Sequence, residues 1–137
     1  MKIKVYESLP QEAINIRITV FVDEQGFVDE IDEIDGYATH LLLFDEADTP
    51  VATCRIFTDE DTYILGRLCV LKEHRRKGAG SLILKEAEKV AKQKGGCALI
   101  LHSQLQAKGF YEKSGYSQFG ELEYEQDQPH IWMRKEL

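Results

Sequence analysis

The sequence predicts an α+β domain, a mixed and mostly antiparallel twisted sheet of about seven strands flanked by about four helices. Three observations lead there. The first half holds short alternating or apolar runs separated by acidic turns, as in a strand meander. Residues 63–101 hold a strand, a glycine turn, a helix and a second strand, which together make a parallel βαβ crossover. The last third returns to short strands after one more helix, so strands and helices do not alternate throughout.

Residues 2–7 set Ile3 and Val5 against Lys2 and Lys4, the pattern of a half-buried strand. Ser8 is a suitable N-cap and Pro10 fits a first helical turn. Ala13, Ile14, Ile16, Arg17, Val20 and Phe21 then recur at helical spacing to about Val22. Residues 23–36 are acidic, broken at Gly26, and read as a loop or short second helix pinned by Ile31 and Ile34. Runs 39–44 and 51–57 make a hairpin, and residues 63–70 add a third strand. Helix 81–94 carries a buried stripe of Leu82, Ile83, Ala87, Val90 and Ala91, and Gly95-Gly96 stops it. Residues 97–101 are continuously apolar, as a strand covered on both faces should be. A short helix over 105–113 and strands over 116–124 and 130–134 complete one domain, 1–137, without repeats or linkers.

Hydrophobic residues at 43% and charged residues at 30% place the chain among folded globular proteins rather than disordered ones. No apolar run approaches the ~20 residues that span a bilayer, and no export signal stands at residues 1–7. A membrane is therefore excluded as partner, and a cytoplasmic location is expected. Cys54, Cys69 and Cys97 are widely spaced in apolar runs without a CxxC, which predicts buried thiols and no metal site. The net charge of −7 is unevenly spread: residues 21–61 hold 13 acids and one base, whereas residues 72–94 hold eight bases and three acids. The acidic part suits a cationic partner such as an amine, or a solvated face. No basic stripe interleaved with aromatics exists, which excludes nucleic acid.

Residues 65–81 concentrate the chemistry. A strand ends near Val70, Arg75, Arg76 and Lys77 follow, and Gly78 and Gly80 open a helix. Helix-initial amides lack internal partners and lie at the positive end of the helix dipole, and glycine leaves the backbone open to an anion. This order reads as a phosphate cradle. It does not fit the Walker pattern, and the third glycine of the dinucleotide fingerprint is absent.

Arg75-x-x-Gly78-x-Gly80 after a strand resembles the (Gln/Arg)-x-x-Gly-x-(Gly/Ala) motif of the GNAT family of N-acetyltransferases. Ala107-Lys108-Gly109-Phe110-Tyr111 through Gly115-Tyr116 is similar to that family's A-x-x-F-Y-x-x-x-G-F/Y segment. Phe21 through Phe27, followed by Glu30-Ile31-Asp32, and Pro129-His130-Ile131-Trp132-Met133 resemble the small bacterial ElaA-like branch. The resemblance implies the acyl-CoA N-acyltransferase fold and acetyl transfer from acetyl-CoA to a primary amine. The backbone of Leu68, Cys69 and Val70 would then pair with pantetheine between splayed fourth and fifth strands, with Gly66 helping the bend. Arg75, Arg76, Lys77, Gly78, Ala79, Gly80 and Ser81 would hold the pyrophosphate, and Tyr111 would protonate the leaving thiolate. Glu24, Glu30, Asp32, Arg67 and His130 are the candidates for binding the acceptor, with Arg67 alternatively pairing an acid from the loop after the first helix. Homodimers are common in the family. The alternatives are a non-catalytic acyl-CoA-binding module on the same fold and an unrelated nucleotide-phosphate binder.

Overall fold

The computed structural model describes residues 1–28 and 31–137. Strands β1 (Lys2–Tyr6), β2 (Thr39–Phe44), β3 (Pro50–Asp59), β4 (Thr62–Val70), β5 (Ala98–Gln104), β6 (Ser117–Glu125) and β7 (Gln128–Glu136) form one sheet. Their order is β1-β2-β3-β4-β5-β7-β6. Only β4 and β5 are parallel, because helix α2 (Ala79–Gln93) carries the chain back between them. Helices α1 (Gln11–Arg17) and α3 (Lys108–Lys113) bring the α-helices among the described residues to three. The expected fourth is absent there because the acidic stretch closes only one 3-10 turn, Glu33–Gly36.

The first helix starts after Pro10 rather than under a Ser8 cap, and past Arg17 it widens into a π-helical segment, Ile18–Glu24. Beside that change the Thr19 hydroxyl donates to the Asn15 carbonyl at 3.0 Å, competing for the oxygen an α-helical amide would use.

Both faces of the sheet are covered. α2 and α3 pack Ile83, Leu84, Ala87 and Tyr111 against Leu41, Ile56, Leu99 and Met133. On the other face Ala13, Ile16 and Val20 cover Leu42, Phe44 and Cys69. β2 lies inside both layers, so all six of its residues are buried. In α2, Leu84 joins the buried stripe and Leu82 is left 42% exposed, because Leu84 lies three residues before Ala87 on the covered side. Cys54 and Cys69 are buried as expected, but Cys97 precedes β5 and is exposed.

An ionic network ties the α1 face together. Arg17 grips both oxygens of Asp35 at 2.8 and 2.9 Å. Arg55 on β3 donates to Asp35 at 2.9 Å and to both oxygens of Asp32 at 2.6 and 3.0 Å. Arg67 reaches Asp32 at 3.3 Å. Arg17, Asp35 and Arg55 are all buried. Burial opposes ionisation of Asp35, but bonds from Arg17, the Asp32 amide and Arg55 outweigh it and hold the carboxyl far below its ordinary range. Asp32 and Asp35 of this acidic stretch therefore neutralise internal arginines.

Asp35→Ala leaves two buried guanidinium groups facing each other, and breaking such a pair costs about 3–5 kcal/mol. Urea unfolding at neutral pH should show that loss. Because the folded carboxyl titrates below the unfolded value of about 3.9, its contribution is complete above that pH and fades as pH falls further. The wild-type advantage over Asp35→Ala should shrink accordingly in acid; an advantage that does not change would separate the network from stability.

Candidate active site

β4 and β5 pair at three positions only, ending at Leu65–Leu101. Beyond them the facing edges of residues 66–70 and 102–104 share no ladder. A bulge in β4 marks the same place: Thr53 faces Cys69 and Arg55 faces Gly66, so two β4 residues stand opposite Cys54. Arg67 takes the left-handed conformation, at φ 55°. The extra residue reverses the pleat, turning Arg67 toward Asp32 while Leu68 and Val70 pack on the α2 side. The bend therefore falls on Arg67 rather than on Gly66. A Cβ at Gly66 would stand 3.3 Å from Arg55 Nε, so this glycine makes room for the buried guanidinium.

The Leu71 amide bonds the Val51 carbonyl at 2.9 Å. Backbone groups alternate sides along a strand, so Cys69 also faces β3, whereas Leu68 and Val70 present theirs to the gap. Of the three expected pantetheine contacts, the Cys69 backbone is thus used within the sheet, and its side chain packs under α1.

The glycine turn forms as its composition suggests, with two distinct roles for its glycines. Arg76 (φ 62°) and Gly78 (φ 82°) are left-handed and flank Lys77, and Ala79 begins α2. Alternating handedness turns successive amides into one concavity, an anion nest continuous with the helix N-terminus. Gly78 is required for its conformation, with open space where a Cβ would stand. Gly80 is required for packing: a Cβ there would lie 3.3 Å from the Phe110 ring. Arg76, Lys77 and Gly78 are exposed, and Ser81 is half-buried. Arg75 is differently engaged. Its Nε donates to the Val70 carbonyl at 2.8 Å, and its two terminal nitrogens grip Glu24 at 2.7 and 3.0 Å. That hydrogen-bonded pair lowers the Glu24 carboxyl below its ordinary value.

A cavity of about 310 Å³ lies beside the cradle between α2, α3 and β7. Ser81, Lys85, Lys113 and Lys135 line it; Lys135 pairs with Glu88, which also accepts from the Tyr116 hydroxyl. Sequence reasoning missed this groove because its lysines come from three separate elements. Tyr111 is buried at 7% exposure, edge-on to the rings of Phe110 and Tyr116. Burial first, and then the Cys54 and Cys69 thiols, push its phenol well above the ordinary value, so it is neutral at physiological pH.

Of the acceptor-side candidates, Glu24 is paired with Arg75 and Asp32 with Arg55 and Arg67; Glu30 lies outside the described residues. Burial opposes the charge on Asp32, yet its arginine partners keep its carboxyl below the ordinary value. His130 is buried on β7, where its Nδ1 donates to the Gln128 carbonyl at 2.9 Å.

The model of the acetyltransferase (GNAT) domain matches residues 7–137. The chain belongs to the GNAT family. The uncharacterized N-acetyltransferase YjcF of Bacillus subtilis is 37% identical over 129 residues, covering 92% of this chain and 91% of that protein. Among solved structures, a Lactobacillus plantarum protein assigned to the N-acetyltransferases has a TM-score of 0.90 at 31% identity, over 100% of this chain and 99% of that one. Escherichia coli ElaA has a TM-score of 0.86 at 25% identity, with 98% of both chains covered. GNAT membership establishes acyl transfer as the reaction class, and the seven-stranded mixed sheet is the GNAT fold.

Within this GNAT domain the packing role of Gly80 is testable. Gly80→Val should overpack against Phe110 and cost about 1–3 kcal/mol, lowering the thermal midpoint. Unchanged stability would mean that Phe110 yields without cost.

Proposed function

We propose that the protein transfers the acetyl group of acetyl-CoA directly to a primary amine of a small molecule or peptide, within a ternary complex. One observation carries this reading: the open β4 edge at Leu68 and Val70 leads straight into the anion nest of residues 76–81. A ligand with an amide-containing arm and a pyrophosphate would meet a strand edge and an anion site in that order. The nest amides of Lys77, Gly78, Ala79 and Gly80, with Arg76 and Ser81 beside them, would hold the pyrophosphate. Arg75 would contribute after exchanging Glu24 for phosphate, or through its anchor on Val70. Lys85 and Lys113 extend positive charge to where the nucleotide end of CoA would lie.

The Leu68 amide, aimed into the gap, would polarise the thioester carbonyl. Tyr111 enters from the α2 side. A phenol held above its usual ~10 is a poor proton source for a thiolate whose acid titrates near 8.5, so Tyr111 acts chiefly as a hydrogen-bond donor to the departing sulfur. Burial pushes the Cys54 thiol up as well, which disfavours a thiolate nucleophile there and supports direct transfer. On the acceptor side, Glu24 and His130 would serve the arriving amine, and Asp32 with Arg67 would shape the entrance. Two buried thiols fit a reducing, cytoplasmic setting.

Calorimetry should detect acetyl-CoA binding near −8 kcal/mol, a micromolar affinity, and none with ATP. Gly78→Glu places a carboxylate in the nest and should abolish that binding; undiminished affinity would reject the cradle. Tyr111→Phe removes a bond to a developing anion worth about 1.5–3 kcal/mol. Turnover should fall roughly 10–100-fold with acetyl-CoA affinity intact, and full turnover would remove Tyr111 from the mechanism.

A further inference from the structure

β5 extends three residues beyond its apolar run because β7 pairs with it to the end, with His102 opposite Trp132 and Gln104 opposite His130. Along both strands the pleat alternates: Leu99, Leu101, Ile131 and Met133 enter the α2 layer. His102, Trp132 and His130 therefore stand on the opposite face, at the mouth of the unladdered gap. His102 stacks on Trp132 at 4.5 Å, and the two imidazoles lie 5.0 Å apart. The loop after the π-helical segment closes over them. Gln25 accepts from Gln104 at 2.8 Å, Gln126 holds both backbone groups of Val28, and Phe27 meets His130 edge-on.

Glu125 on β6 joins the two rings. Its Oε2 lies 3.0 Å from His102 Nδ1 and 3.4 Å from His130 Nε2. The Nδ1 of His130 faces a carbonyl and so carries hydrogen, which leaves its Nε2 bare toward Glu125 in the neutral ring. When His102 Nδ1 donates to Glu125, its Nε2 is bare as well; that buried atom has Glu123 Oε1 3.3 Å away, off the line of a hydrogen bond. The cluster thus has two ring nitrogens near carboxylate oxygens, and a proton added at His130 Nε2 would stand between that ring and Glu125. Both glutamates are about half exposed, at 53% and 56%, while the rings are covered.

We propose that Glu125, with His102 and His130 behind it, accepts the proton that a primary ammonium substrate loses before attacking the thioester. The proposal rests on the acetyl-transfer reading above. The ammonium N–H gives its proton to Glu125, which passes it to an imidazole; a carboxylate alone, near 4.3, is a weaker sink than imidazole, near 6.5. The neutral amine then forms the C–N bond as the C–S bond breaks. The second amine proton balances the one the thiolate takes up, so one proton per turnover leaves through the cluster to solvent. Glu125 is the group that touches substrate; the histidines are positioning and relay residues. The titratable groups facing one another are Glu123 and Glu125 from β6, His102 from β5 and His130 from β7, and the covering loop adds the uncharged Gln25 and Phe27.

The test follows kcat/KM against pH by thiol release, with saturating acetyl-CoA and benzylamine, putrescine or glucosamine as acceptor. Glu125→Gln should lower kcat/KM about 100-fold, and His130→Gln should displace the acidic limb of the profile. Acetyl-CoA affinity should hold in both, and Glu121→Gln, on the same strand, should match wild type. Wild-type rates and an unmoved limb in Glu125→Gln and His130→Gln overturn the proposal. A wild type that binds acetyl-CoA but acetylates none of these amines counts against the transfer reading instead. The shared unit is then judged by nitrogen NMR of the imidazoles without substrate: Glu125→Gln must shift the titration of both rings, and two unmoved titrations overturn it.

Discussion

The pairing of Arg17 and Arg55 with Asp35 and Asp32 is the constraint on which the functional half of the molecule depends. It joins the first helix, the 3-10 turn and β3. Two buried guanidinium groups could not remain there without both carboxylates. The same pair of acids caps the turn, and Asp32 then reaches Arg67 on the β4 bulge. Placing the bulge and placing the 3-10 turn are thus one problem with one electrostatic solution.

That solution lets the sheet open without unravelling. β4 is held on its β3 side by a ladder that resumes after the bulge, while its other edge is released from β5. An opened parallel pair would ordinarily leave backbone groups without partners, a cost unless a ligand supplies them. Val70 meets part of it through Arg75, whose other contacts reach Glu24 at the end of the π-helical segment. The end of β4 and the π-helical segment therefore share one guanidinium.

Local conformation was legible in the sequence, and long-range pairing was not. The glycine turn could be read because a turn between strand and helix depends on neighbours in the chain, and Gly78 is left-handed as such a turn demands. The pairing of Arg67 with an acid from the loop after the first helix was visible as an alternative, and Asp32 realises it. The fate of Asp35 could not be read, since nothing local distinguishes an acid that meets Arg17 and Arg55 from one that meets water. His102 carried no pattern either. Polar residues after an apolar run suggest a turn, and only pairing with β7 keeps His102 in the strand and beside His130. Of the acidic excess of residues 21–61, Asp32 and Asp35 turn inward to arginines.

β6 forms one edge of the sheet, and all nine of its residues are exposed. Such an edge is a template on which another chain can add a strand, the first step toward aggregation. Here Gly120 is left-handed within an irregular stretch, and Glu121, Glu123 and Glu125 recur at every second position. Two such edges approaching each other would align like charges along an interrupted ladder, which disfavours self-association by strand addition. Glu123 and Glu125 thus also act as gatekeepers of this edge, beside the proton-accepting role proposed for Glu125.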